Sequence, residues 1–186
     1  MKKIILASVM ALAAAPAFSA ADIAIYYSPT CPHCHHARDF ISSTLIYEYP
    51  TLAVVEYNVS ENAGYNEFAK ALKTCGYESG GVPVAVVNGK CFQGFGAPEN
   101  TGVEFRAALD AKLTAAEKEA SKNASAEFKK DGAQFRAAHP DRVRAISEFS
   151  AETVQKKTSN SAIYFYGLLI ILVAGLGFVL FSKKKK

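Results

Sequence analysis

Cys31-Pro32-His33-Cys34 holds the residues of this chain whose types and spacing could do chemistry. Two cysteines separated by two residues can close a disulfide across one helical turn, and the rest of the fold need not move when that bond forms or breaks. Exchange requires a thiolate, and a thiolate at neutral pH requires an electropositive setting. Pro32 suits the first helical position, where its missing N–H is harmless. Cys31 is then the helix N-cap, with orphan N–H groups and the positive end of the dipole aimed at its sulfur. Such a setting lowers a thiol pKa into the range of about 3.5–7.5. His33, as an imidazolium near the helix start, can stabilise the Cys31 thiolate and with it the reduced form, which makes the disulfide more oxidising. Cys34, one turn in and less exposed, would resolve a mixed disulfide.

The elements that must position this pair are legible around it. Ile23-Ala24-Ile25-Tyr26-Tyr27 reads as a buried strand and Ser28-Pro29-Thr30 as the turn out of it. Phe40, Ile41, Leu45 and Ile46 then recur with helical spacing. A lone Cys-x-x-Cys also suits zinc, and a second feature separates the readings. Gly80-Gly81 leads into Val82-Pro83-Val84-Ala85-Val86-Val87, an apolar strand that begins with proline, and Asn88-Gly89 is a two-residue hairpin signal into Lys90-Cys91-Phe92.

Strand, Cys-x-x-Cys helix, strand, helix, Val-Pro strand, hairpin and helix follow the order of the thioredoxin fold in its small, glutaredoxin-like form. Residues 22–113 resemble that family. The resemblance implies a βαβαββα domain, a central mixed sheet flanked by helices. It implies a cis Val82-Pro83 bond beside the disulfide, whose backbone, with Pro32, offers an edge to a substrate chain. It also implies thiol–disulfide exchange with protein thiols and disulfides, Cys31 acting as nucleophile, with no cofactor beyond the Cys31–Cys34 disulfide. Pro-His between the cysteines and Val before the proline are similar to the Dsb family of bacterial periplasmic oxidases; glutaredoxins tend to Pro-Tyr and Thr. The strand position that often carries a buried acid in this fold is Ile25 here, so no internal acid for deprotonating Cys34 is evident. The glutathione pattern is only partly present: Ser28-Pro29-Thr30 lacks a basic residue, and Gly94-Phe95-Gly96-Ala97-Pro98-Glu99 lacks the acidic hydroxyl pair. A glutathione-dependent glutaredoxin thus stays an alternative.

Cys75 and Cys91 complete an even count of four cysteines. A Cys31–Cys34 pair with Cys75–Cys91 is the natural connectivity; two buried free thiols or a second redox pair are the other readings, because sequence does not give the Cα separation. His33, His35 and His36 beside the cysteines raise a copper- or zinc-binding alternative. Successive helical positions point about 100° apart, so at most one histidine easily joins the thiolates. No distant pair completes a tetrahedron, and the expectation is no metal.

The chain ends suggest a membrane protein. Residues 1–20 combine two lysines, an apolar run and small residues, the pattern of a bacterial signal peptide. Residues 162–181 carry no charge, enough to cross ~30 Å of hydrocarbon as a helix. Tyr164, Phe165 and Tyr166 open this run, and Lys183 to Lys186 close it, which predicts a cytoplasmic tail over 182–186. The expected topology is single-pass in a bacterial inner membrane, the redox domain periplasmic, in contact with the lipid bilayer and a membrane electron-transfer partner. Without Lys2, Lys3 and the last four lysines, 15 basic residues face 17 acidic ones, so nothing suggests nucleic-acid binding.

Residues 114–160 read as a helical spacer or stalk, rich in Ala, Glu and Lys from Thr114. Fully helical, it would reach on the order of 60–70 Å. His139-Pro140 breaks it, and a second helix is predicted from Asp141 with Val143, Ile146, Phe149 and Val154 along one side. A dimerising stalk, or a helix packed on the domain, is the other reading; Phe128 and Phe135 are seven apart, but heptads are not sustained.

Overall fold

Ile23–Tyr27 form β1, and every one of its residues except Ala24 is buried, as an interior strand requires. The computed structural model describes residues 21–150, together with Phe165, Leu168, Leu169 and Ile171. Helix α1 (Pro32–Phe40) continues through a π-helical turn (Ile41–Leu45) into a last turn, α2 (Ile46–Glu48). Strand β2 (Val54–Asn58), helix α3 (Asn62–Cys75), strands β3 (Val84–Val87) and β4 (Lys90–Gln93) and helix α4 (Thr101–Asp110) follow. This is the expected βαβαββα order. The sheet is mixed: β1 runs parallel to β2 and antiparallel to β3, which pairs antiparallel with β4. Asn88 and Gly89 both take positive φ, 49° and 86°, so the hairpin is the tight turn that an Asn-Gly pair favours.

The alternation of strand side chains divides the core between two faces. Ile23, Ile25, Val54, Ala85 and Val87 meet Phe40, Ile41, Leu45, Ile46 and Phe105 on the face covered by α1 and α4. Tyr26 and Val84 meet Phe68 and Ala71 of α3 on the other. Each of the fully buried Ile and Leu side chains contributes roughly 1.5–3 kcal/mol relative to exposure. Gly102 permits α4 to lie close to α1, since a Cβ there would sit 2.8 Å from the Phe40 ring.

The segment expected as a spacer is part of the domain, as far as it is described. Helices α5 (Ala115–Lys130) and α6 (Gly132–Ala138) turn back, and Phe128 and Phe135 pack on the main core beside Tyr47. The Ser121 hydroxyl donates to the Glu48 carbonyl at 2.9 Å, with Ser121 buried. The helix predicted from Asp141 is instead a 3-10 turn (Pro140–Ala145) followed by a strand, β5 (Ile146–Glu148). It pairs parallel with β2, Ile146 opposite Val54, and gives the sheet order β4-β3-β1-β2-β5. The physical reason is the open edge of β2: its free backbone groups and the flank of Tyr47 offer partners that an isolated helix lacks. The domain therefore reaches residue 149 rather than 113.

The leader expected over 1–20, the end of the spacer (151–160), the span over 162–181 and the tail lie outside the described residues, four positions excepted. Phe165, Leu168, Leu169 and Ile171 are helical and expose their side chains. Among the described residues no helix is long and apolar enough to cross a membrane.

Candidate active site

Cys31 caps α1 from extended backbone (φ −93°, ψ 114°), and Pro32 opens the helix behind it. The Cys34 N–H donates to the Cys31 sulfur at 3.2 Å, and the first turn holds no acidic residue to oppose a negative charge there. These features stabilise a thiolate at Cys31. Cys31 and Cys34 are joined as a disulfide, their Cα atoms 5.2 Å apart. Cys31 is half-buried and Cys34 almost wholly buried, so an incoming sulfur has access to the first alone.

The loop before the helix is held by its own bonds. The Cys31 N–H donates to the Ser28 carbonyl at 3.1 Å, and the His35 ring lies 2.8 Å from the Pro29 carbonyl through Nε2. Val82-Pro83 is cis, and the Val82 carbonyl oxygen lies 3.4 Å from the Cys31 sulfur. That contact becomes a hydrogen bond when Cys31 is a thiol. The structure thus brings Cys31, Pro32, Cys34, Val82 and Pro83 together. His33 is exposed on the first turn, its ring 6.3 Å from that of His36.

Cys75 and Cys91 are also bonded, with Cα atoms 5.8 Å apart, and none of the four cysteines is free. They tie the end of α3 to β4, away from the helix N-terminus. Among the described residues, no group of three or more His, Cys, Asp or Glu side chains is placed to hold a metal ion.

An acid does lie beneath the helix, though not on the strand where it was sought. Glu56 of β2 sits beside Ile25 in the parallel register and is buried. Arg38, one turn after Cys34, donates to the Glu56 carboxylate from Nε at 3.0 Å and from the terminal nitrogen at 2.5 Å. That hydrogen bond holds the guanidinium more firmly charged, against the opposing effect of burial. The guanidinium also stacks on the Tyr27 ring, 3.9 Å from its centre, and the Tyr27 hydroxyl donates to Glu148 of β5 at 2.7 Å. Sequence reasoning missed this group. The signal was an acid inside the otherwise apolar run Val54-Val55-Glu56-Tyr57 and a cation four residues after a buried cysteine.

A groove of about 410 Å³ flanks the site between His36, Phe40 and Ser43 on one wall and Phe95, Gly96 and Pro98 on the other. Its second wall occupies the place where the glutathione pattern was only partly present. Asn100 closes that loop, accepting from the Ala97 N–H at 2.7 Å and capping α4.

Residues 23–92 match the family model for glutaredoxins, a family of the thioredoxin-fold superfamily. The matched segment runs from β1 to β4 and contains both cysteine pairs and the cis proline; α4 and everything after it lie outside. No curated protein matches the chain. A glutaredoxin-like segment with a Cys-x-x-Cys pair at a helix N-terminus defines a thiol oxidoreductase in general terms.

Proposed function

We propose that the protein is a membrane-anchored, extracytoplasmic thiol–disulfide oxidoreductase that exchanges disulfides with protein substrates. The observation that carries this reading is the half-buried Cys31 sulfur, bonded to buried Cys34, at a helix N-cap and 3.4 Å from the carbonyl of a cis Val82-Pro83 edge. A substrate thiolate attacks the Cys31 sulfur, the Cys31–Cys34 bond breaks, and the electron pair leaves on Cys34. A second substrate thiolate then attacks the substrate sulfur of the mixed disulfide and releases Cys31. The substrate gains a disulfide, the enzyme gains two electrons and two protons, and no cofactor takes part. Reduction of a substrate is the same path reversed.

His33 acts as the electrostatic tuner, favouring the Cys31 thiolate and so an oxidising couple. Val82 presents its backbone to the substrate chain, and Pro83 with Pro32 shapes the approach. The lysine-flanked leader and the uncharged run 162–181 with its four following lysines support a single-pass protein of the bacterial inner membrane, domain outside and tail inside. That span carries no cysteine or charge, so a reductase role needs a membrane partner to supply electrons.

The test is the reduction potential of the Cys31–Cys34 couple in the full-length protein in detergent, equilibrated against glutathione buffers and read by thiol alkylation. A potential well above the glutathione couple identifies a disulfide donor; one near or below about −270 mV identifies a reductase. Cys31→Ser is expected to lose exchange entirely, and turnover surviving in it would overturn the assignment.

A further inference from the structure

The docking edge rests on a weakly held loop. Between the end of α3 at Cys75 and the start of β3 at Val84, residues 78–82 make no backbone–backbone hydrogen bond. The bonds that frame the loop lie at its base. Gly76 takes the left-handed conformation, φ 71°, that ends α3, and the Gly76 and Tyr77 N–H groups close on Lys73 and Leu72 at 3.2 and 2.9 Å. At the far end the Gly94 N–H donates to the Pro83 carbonyl at 2.7 Å. Tyr77 and Val82 add partly buried contacts to the smaller core cluster. Across the mouth of this loop runs the Cys75–Cys91 bond, joining the last residue of α3 to the strand that pairs with β3 at Val86.

We infer that the Cys75–Cys91 disulfide is a positioning device that holds the Val82 carbonyl against Cys31, so that opening it weakens substrate docking and leaves the Cys31–Cys34 couple able to exchange. The inference rests on the function proposed above. Both sulfurs belong to half-buried residues, within reach of a small dithiol. In that reaction one reagent thiolate attacks a sulfur of the pair and the Cys75–Cys91 bond breaks. The second reagent sulfur then displaces the first, leaving a cyclic reagent disulfide and two protein thiols, with two electrons and two protons transferred. The loop is then tied by its backbone bonds and the partly buried Tyr77 and Val82 contacts, without a covalent link, and the freedom the substrate must remove on docking increases.

The experiment compares kcat and KM of the full-length protein with those of Cys75→Ser/Cys91→Ser, using a dithiol peptide as substrate and a fixed, saturating concentration of glutathione disulfide to reoxidise the Cys31–Cys34 pair after each turnover. KM is expected to rise about fivefold with kcat within about twofold, the mark of lost ground-state binding rather than lost chemistry. An unchanged KM overturns the inference, as does a fall in kcat alone. A second measurement does not depend on turnover. In full-length Cys31→Ser/Cys34→Ser the Cys75–Cys91 bond is the only disulfide, and dithiothreitol opens it. Amide exchange at Gly76, Tyr77 and Gly94 is expected to quicken while β1 and β2 stay protected. Exchange unaltered at those three amides, or quickened throughout the sheet, overturns it. If the wild-type protein fails to exchange disulfides at all, the proposed function falls, and the amide measurement still decides whether the bond holds the loop.

Discussion

The two halves of the domain are held by different kinds of contact. From β1 to α4 the core is made of fully buried aliphatic side chains, Ile23, Ile25, Ile41, Leu45, Ile46 and Leu109, with Phe105 among them. From α5 to β5 Ser121 is the one buried residue; the other contacts are half-buried rings, polar tethers and a three-residue strand. Tyr47 stacks on Phe128 at 5.8 Å and meets Phe135 edge-on at 6.5 Å. Arg142 donates to the Pro50 carbonyl, and the Phe149 N–H to the Glu56 carbonyl at 2.9 Å. The first half builds a surface, and the second adheres to it. A segment of the second kind has no core of its own, so its structure is conditional on the first.

That contrast is open to direct attack. The largest expected effect comes from ending the chain at Leu113. Tyr47, Glu48 and the β2 edge lose their cover, and the stability of the remaining domain to urea is expected to fall by roughly 3–6 kcal/mol. A chain ending at Leu113 as stable as one ending at Phe149 would restore the spacer reading and erase the distinction between halves. A narrower probe is Phe135→Ala, which removes one ring from the packing against Tyr47. A cost of roughly 2 kcal/mol is expected, below the usual range for a fully buried Phe because this ring is half-buried. A shift in the denaturation midpoint near zero would mean that α6 rests on the domain without stabilising it.

The chemistry belongs to the first half, and His33→Pro sharpens that side of the comparison. If the His33 ring stabilises the thiolate as proposed, its removal from the first turn of α1 makes the reduction potential fall by about 30 mV or more, equivalent to ~1.4 kcal/mol. Stability to urea should change less than in Phe135→Ala. An unaltered potential would take His33 out of the mechanism.

What was legible in the sequence follows the same division. The strand Ile23–Tyr27, the N-cap at Cys31 and the Asn88-Gly89 turn are local events, decided by a few neighbouring residues, and each is found in place. The helix over 115–130 was likewise readable from its Ala, Glu and Lys content; Thr114 and Glu117 close a capping box at its start. Its docking on Tyr47 was not readable, because Phe128 and Phe135 make only a short apolar stripe and their partner is some eighty residues away. Val143, Ile146 and Phe149 at intervals of three suggested a helix, and the free edge of β2 overrode that spacing. Ile25 and Glu56 show the same limit within the site: one strand lacks an acid and its neighbour supplies one, a fact of register. The Cys75–Cys91 pairing stood open for the same reason, since a Cα separation of 5.8 Å is a tertiary quantity.

Tyr27 joins the two halves, and its hydroxyl gives the smallest and most specific prediction. Burial, then the hydrogen bond to Glu148, pushes its pKa from the usual 10.0 up to about 12. The folded state therefore retains a proton that the unfolded chain has released between those two values. The stability this provides is complete below about pH 10 and is lost as pH rises towards 12, since the unfolded state binds fewer protons across that window. Tyr26 and Tyr49 are raised as well, chiefly by burial, so the alkaline decline has several contributors. Tyr27→Phe keeps the ring under Arg38 and removes only the bond to β5. It is expected to cost about 1 kcal/mol near neutral pH and to make the decline between pH 10 and 12 shallower. Glu148→Gln separates the hydrogen bond from the negative charge of Glu148, which also raises the Tyr27 pKa: the amide oxygen still accepts from Tyr27, so the neutral-pH loss should be smaller. The alkaline slope should soften as well, because the carboxylate charge that opposes tyrosinate is gone. Were Tyr27→Phe to leave both the stability and the slope untouched, β5 would be attached by its backbone ladder, the Ser147 bond to the Val54 carbonyl and the packing of Ile146, with no share from Tyr27. The second half would then touch the active-site helix without being coupled to it.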